Sequence, residues 1–178
     1  MSYDLPARDN IGLGDLSRYD DMNAIRAAAV RADIDNAIAA MPRGYDTMLS
    51  RIFFFAEDDE DEQEAGVSFS GGQWQRLALA RSLMRDRASL LILDEPSSGL
   101  DAEAEHHIHQ TLTEFRSGRT SILISHRLGT LRNADHIVVL DGGRITERGD
   151  HDDLMACGGV YARLFTLQGQ GYQPATVQ

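Results

Sequence analysis

Apolar positions fall into short blocks whose spacing changes along the chain, and that change predicts the elements. Between residues 21 and 41, Ile25, Ala28, Ala29, Ala32, Ile34, Ala37 and Ile38 recur close to the helical period. Asp20 or Asp21 can cap this helix, Pro42 with Gly44 stops it, and Asp33 can divide it in two. Leu77, Leu79, Ala80, Leu83 and Met84 form a second helical stripe, which predicts a helix over 73–87. The period then shortens. Residues 90–94 and 120–125 are apolar runs of strand length and are read as buried strands, separated by a helix over 102–115. A helix over 128–134 leads to a strand over 136–140, and Asp141-Gly142-Gly143 is a tight-turn signal pairing it with 144–148. A last amphipathic helix is expected over 160–167, with 168–178 a polar tail. Residues 1–16, with turn signals at Pro6, Gly12 and Gly14, read as a loop. Alternating strands and helices predict an α/β protein with a parallel sheet and crossover helices.

Composition narrows the possibilities. A chain of 178 residues is long enough for one real core, and 42% hydrophobic with 25% charged residues fits a soluble globular protein. No run approaches the roughly 18 apolar residues of a membrane span, and the start of the chain has no apolar signal region. Cys157 is the only cysteine, which excludes an internal disulfide and fits a reducing compartment. The net charge of −11 argues against nucleic acid as the main ligand. Seven carboxylates crowd into residues 57–64, a density that calls for a solvated loop and lacks the alternating ligands and glycine of a calcium-binding loop. The preceding Ile52-Phe53-Phe54-Phe55 block reads either as core or as a contact surface. All 17 basic residues are arginine. Without a lysine, the chain has no G-x-x-x-x-G-K-[ST] loop to cradle nucleotide phosphates.

Three segments between Phe69 and His126 nevertheless carry phosphate chemistry. Ser70-Gly71-Gly72-Gln73 opens a helix: glycines allow close backbone approach to an anion, the helix points its positive end there, and Ser70 adds a hydroxyl. Asp94-Glu95 closes the first strand run, where α/β sheets bind ligands, and the second run delivers His126. His106, His107 and His109 do not share one helix face and read as solvated, while His136 and His151 read as structural.

In this order and spacing, the segments resemble the ATP-binding domain of exporter-type ABC transporters over residues 43–167. They match its signature loop (Ser70 to Gln73), Walker B strand (Leu90 to Asp94), D-loop (Ser98-Gly99-Leu100-Asp101) and switch histidine (His126). Gly44-Tyr45-Asp46-Thr47 and Gly149-Asp150-His151-Asp152-Asp153-Leu154 resemble further exporter segments, and residues 7–11 resemble the stretch after the Q-loop. Phe69 stands where the family usually has leucine, and the acidic 57–64 run departs from its usual connector.

The resemblance implies an α/β, P-loop NTPase core of the ABC type, N-terminally truncated, with an α-helical subdomain. It divides the chain into a loop over 1–18, a helical subdomain over 19–82, the C-terminal part of the core over 83–167, and the tail. It implies ATP and Mg2+ as ligands, with Asp94 toward the metal, Glu95 toward the attacking water and His126 toward the γ-phosphate. Ser70, Gly71, Gly72 and Gln73 would contact nucleotide held by the opposite protomer, and Asp101 would shape that interface. The implied partners are a transmembrane domain and a second ATP-binding domain, placing the chain peripherally on the cytoplasmic side of the cell membrane. The phosphate loop, the aromatic adenine platform and the Q-loop glutamine are missing, so the isolated chain is expected to be inactive. A catalytically inert interaction module is the alternative. A soluble ABC protein of translation or DNA repair fits the exporter-like segments and the acidic charge less well.

Replacing residues 57–64 with a Gly/Ser linker is expected to move the thermal midpoint by no more than about 2 °C. A loss of several kcal/mol in the melting comparison would show that these carboxylates have structural partners.

Overall fold

A computed structural model describes residues 3–50, 67–85 and 88–171. The chain divides into two units, Met1–Ile92 with Pro96–Ile122, and Leu93–Glu95 with Leu123–Gln178. The Ile52 to Phe55 block and the 57–64 run lie outside the described residues.

The first unit begins with a correction. Residues expected as a loop contain helix α1 (Ala7–Gly12), which follows Pro6 and buries Ala7, Asn10 and Ile11. Six residues are too few to hold a helix by propensity, so tertiary burial does it. Backbone bonds from Ala7 to Thr47 and from Leu49 to Leu5 tie its entry to a later segment. Helix α2 (Met22–Arg31) is capped by Asp21, whose carboxylate accepts from the amides of Asn23 and Ala24. Asp33, at φ 55°, breaks the alanine-rich stretch, and α3 (Asp35–Ala39) continues it. The buried Tyr45 hydroxyl donates to Asp35 at 2.6 Å.

Helix α4 (Gly71–Leu83) starts two residues earlier and ends four residues sooner than its stripe predicts. Its N-terminus is fixed by a reciprocal capping box: Gln73 N donates to Ser70 Oγ at 3.2 Å, and Ser70 N donates to Gln73 Oε1 at 2.9 Å. The predicted stripe is buried throughout, and α1, α2 and α4 pack against one another. The chain passes so close to α4 at Gly14 that a Cβ would collide with the Arg81 carbonyl, which only glycine permits.

One polar node lies in this helical packing. Arg81 Nε donates to the Asn10 carbonyl at 2.6 Å and Nη2 to Asn10 Oδ1 at 3.0 Å. The amide nitrogen of the fully buried Asn10 donates in turn to the carbonyls of Tyr3 and Leu5. The guanidinium also lies 4.8 Å from the Tyr3 ring centroid, and burial lowers its pKa from the ordinary arginine value.

Strand β1 (Leu90–Asp94) is followed by α5 (Ala102–Arg116) and strand β2 (Thr120–Ile124), and the two strands form a two-stranded sheet. The runs were expected to be buried, but Leu90, Ile92, Ile122 and Ile124 are exposed, whereas Leu91 and Leu93 are buried. A continuous apolar run suits burial on two faces; here the described residues cover alternate positions only.

In the second unit, the short helix α6 (Leu128–Leu131) precedes β3 (Ile137–Asp141) and β4 (Arg144–Gly149). These strands pair antiparallel, with Ile137 opposite Gly149 and Asp141 opposite Arg144, as the turn signal predicts. Gly142 and Gly143 both take positive φ, which the tight turn requires. Among the described residues this hairpin is a separate sheet and does not extend β1–β2, so one continuous parallel sheet is not formed. A two-residue turn favours local pairing over a crossover.

Helix α7 (His151–Cys157) is capped by Asp150 and ends at left-handed Gly158. Helix α8 (Val160–Gly171) runs four residues beyond its expected end, into the predicted tail. Leu128, Ile137, Leu154 and Tyr161 form the core of this unit, with Val139 and Phe165 against them. His151 Nδ1 lies 2.9 Å from the Tyr161 hydroxyl, the structural role expected of that histidine.

Asn10→Ala is expected to destabilise the chain by about 1–3 kcal/mol, because it removes the bond from Arg81 Nη2 to Asn10 Oδ1 and the amide's own bonds to the Tyr3 and Leu5 carbonyls. Urea unfolding checks this; a change below about 0.5 kcal/mol would mean the node is dispensable.

Candidate ATPase site

Glu95, Asp94 and His126 belong to the second unit. Asp94 is exposed at the end of β1. At Glu95 the backbone turns left-handed, φ 46°, while its N–H still donates to the Ile124 carbonyl at 2.9 Å. Left-handed backbone at a residue with a Cβ costs about 1–2 kcal/mol and is found where surrounding bonds over-determine it.

Those bonds are visible. Glu95 Oε1 accepts from the His126 backbone N at 2.8 Å and lies 2.7 Å from His126 Nδ1. An ionised carboxylate only accepts, so the imidazole hydrogen sits on Nδ1. The imidazole is largely exposed, at 69%, and the carboxylate partly so, at 32%. Two residues that the sequence singled out separately are thus brought together, and Nε2 is the ring nitrogen left to meet a ligand. The loop is further shaped by Ser125, whose hydroxyl accepts from Arg127 N at 3.0 Å.

The signature residues and Asp101 belong to the first unit. Ser70 Oγ accepts within the capping box, which leaves its own hydrogen to donate. Gly71 has open space where a Cβ would be, so the first amide of a 13-residue helix is approachable. Gly72 differs: a Cβ there would lie 3.3 Å from the Gly99 carbonyl and 3.4 Å from a Leu100 methyl. The second signature glycine therefore makes room for the chain's own D-loop-like segment. Asp101 caps α5, its carboxylate accepting from Ala104 N at 2.9 Å. Arg76, one turn into α4, donates to the Asp33 carboxylate at 2.8 Å and to the Asp33 carbonyl at 3.1 Å. That arginine fixes the left-handed break between α2 and α3, a partnership that spacing alone does not reveal.

Comparison with known proteins shows the family. Residues 10–98, half of the chain, match the sequence profile of the family described as ABC transporter. The chain is 44% identical over 160 residues, 90% of its length, to an ATP-dependent lipid A-core flippase of Aromatoleum aromaticum, and covers 24% of that protein. It is 45% identical over 161 residues to the cyclolysin secretion/processing ATP-binding protein CyaB of Bordetella pertussis, covering 90% of this chain and 20% of that one. A bacterial Atm1-family ABC exporter solved with ATP bound superposes with TM-score 0.77 at 34% identity, over 98% of this chain and 27% of the exporter. The fold and the motifs define a nucleotide-binding α/β domain of the ABC type. The chain belongs to the ABC transporter family, and it spans about a quarter of the length of the curated relatives it matches.

Gly71→Ala is expected to leave the fold intact, or to stabilise it by about 0.5 kcal/mol. Gly72→Val should cost about 1–3 kcal/mol by crowding Gly99 and Leu100. Denaturant midpoints test the contrast; equal effects would remove the proposed difference between the two glycines.

Proposed function

We propose that the chain supplies the signature and the water-activating carboxylate of an ABC exporter, coupling ATP hydrolysis to transmembrane transport. The Glu95–His126 pair beside Asp94 carries this reading, because it joins an acceptor for a water proton to an exposed imidazole. Phosphoryl transfer needs positioning and charge stabilisation more than covalent chemistry, and these groups are suited to both.

Magnesium fits the donors present. Among the described residues no group of three His, Cys, Asp or Glu side chains could hold a metal. Mg2+ ordinarily takes one or two carboxylates together with phosphate oxygens and water, so the exposed Asp94 suffices. When bound, the ion would neutralise charge developing on the phosphates. Glu95 orients or deprotonates the attacking water. With nucleotide bound, His126 would meet two acceptors, the Glu95 carboxylate and a phosphate oxygen. It can serve both only with hydrogen on both ring nitrogens. Within the Ser70 to Gln73 loop, the Gly71 and Gly72 amides and the Ser70 hydroxyl would meet the γ-phosphate across an interface with a second ATP-binding domain, while Gln73 closes the capping box that holds them and Asp101 and its loop help to form the interface. Residues 19–82 constitute the helical subdomain and 83–167 the C-terminal part of the core. A transmembrane domain is the other partner, holding the chain to the cytoplasmic face of the membrane.

A second reading, a catalytically inert module that docks on transporter subunits, is favoured by one observation. The 178 residues contain no lysine and no phosphate loop.

Both readings meet in one experiment. Joined to an exporter segment that carries a phosphate loop, the chain should hydrolyse ATP, and Glu95→Gln should lower turnover about 10²–10⁴-fold. Mg-ATP binding should be retained in that mutant. Near-normal turnover would remove Glu95 from its role, and no turnover by the unmutated fusion would favour the inert module. Calorimetric titration of the chain alone should show no micromolar binding; a saturable signal there would reveal a phosphate site outside these motifs.

A further inference from the structure

Gln168 belongs by sequence to a polar tail and by structure to α8. Both ends of its amide are used. Nε2 donates to the His126 carbonyl at 2.5 Å, and Oε1 accepts from the Leu128 amide at 2.9 Å. One side chain thereby pins the two peptide units on either side of Arg127. His126 is held through both of its backbone groups, its N–H by Glu95 and its C=O by Gln168.

The base of this brace is tied into the core of its unit. Glu147, on β4, caps α8 from outside the helix: its carboxylate accepts from Val160 N at 2.5 Å and from Tyr161 N at 3.1 Å. Tyr161 is buried, bonds to His151 and stacks with Phe165 at 5.9 Å between centroids. Tyr161, Phe165 and Gln168 are spaced four and three residues apart, so they share one face of α8. The face that anchors the helix in its core also presents the amide.

We infer that Gln168 is a positioning residue, holding the His126 imidazole against the Glu95 carboxylate through the backbone around Arg127. The inference rests on Glu95 and His126 being the working pair of the site. Capping α6 alone would require only the acceptor toward Leu128, which is the first residue of that helix and has no side-chain cap of its own. The donor bond to His126 goes beyond that need, and it can be removed separately.

The 15N-labelled chain provides the test, through the His126 ring nitrogens at neutral pH and the hydrogen exchange of the Leu128 amide. The unmutated chain should show one set of ring signals with hydrogen on Nδ1. Gln168→Glu keeps the acceptor and loses the donor, so Leu128 exchange should stay within about twofold while the ring signals move toward free imidazole. Gln168→Leu loses both, and Leu128 exchange should rise about tenfold with the same ring change. Should Gln168→Leu fail to fold, Gln168→Glu decides. Ring signals unchanged in the folded variants overturn the inference, provided that Glu95→Gln does alter them. Ring signals unchanged by Glu95→Gln overturn the pairing itself and the inference with it. Leu128 exchange separates that failure from the absence of a brace.

Discussion

Glu95 gives one oxygen to a single neighbour twice, accepting from the backbone and the ring of His126. The magnitudes favour this arrangement. Hydrogen bonds to a charged group contribute about 1.5–3 kcal/mol each, against about 1–2 kcal/mol for left-handed backbone. The strain at Glu95 is therefore offset by the contacts it permits. Asp94, one residue earlier in extended backbone, has no such turn and stays exposed at its strand end. Two adjacent carboxylates thus have different surroundings because one residue changes its backbone basin.

The signature helix achieves definition by other means. Its first turn is closed by Ser70 and Gln73, its second is tied to Asp33 through Arg76, and its third reaches Asn10 through Arg81. With no lysine in the chain, these long-range attachments fall to arginine, whose planar fork makes several directed bonds at once. Arg81 uses that property most fully, addressing a carbonyl and an amide oxygen of one residue. The helix can present its first amides outward because its other faces are held in place.

What the sequence made legible was mostly local. The Asp21 cap, the break at Asp33 and the Asp-Gly-Gly turn each act within a few residues, and all occur where spacing predicts. The candidate pair was legible through its motif, although the bond between Glu95 and His126 spans 31 residues of chain and has no periodicity of its own. Helix α1 was missed because Ala7 and Ile11 are held by burial rather than propensity. The exposed faces of β1 and β2 were missed because an apolar run does not state how many of its faces are covered. Gln168 looked like tail because it is polar; its place three residues after Phe165 was the signal that put it on the helix face that Tyr161 and Phe165 share.

Those bare strand positions have a consequence for handling the molecule. Leu90, Ile92 and Ile122 in one unit, and Val138, Leu140 and Ile145 in the other, give each unit aliphatic side chains facing water from extended backbone. Such surfaces are sticky: they favour strand-to-strand association and colloidal self-attraction, which a net charge of −11 opposes at low salt and loses as salt screens it. Ionic strength and protein concentration thus become variables of the molecule itself, setting how long it remains dispersed in solution.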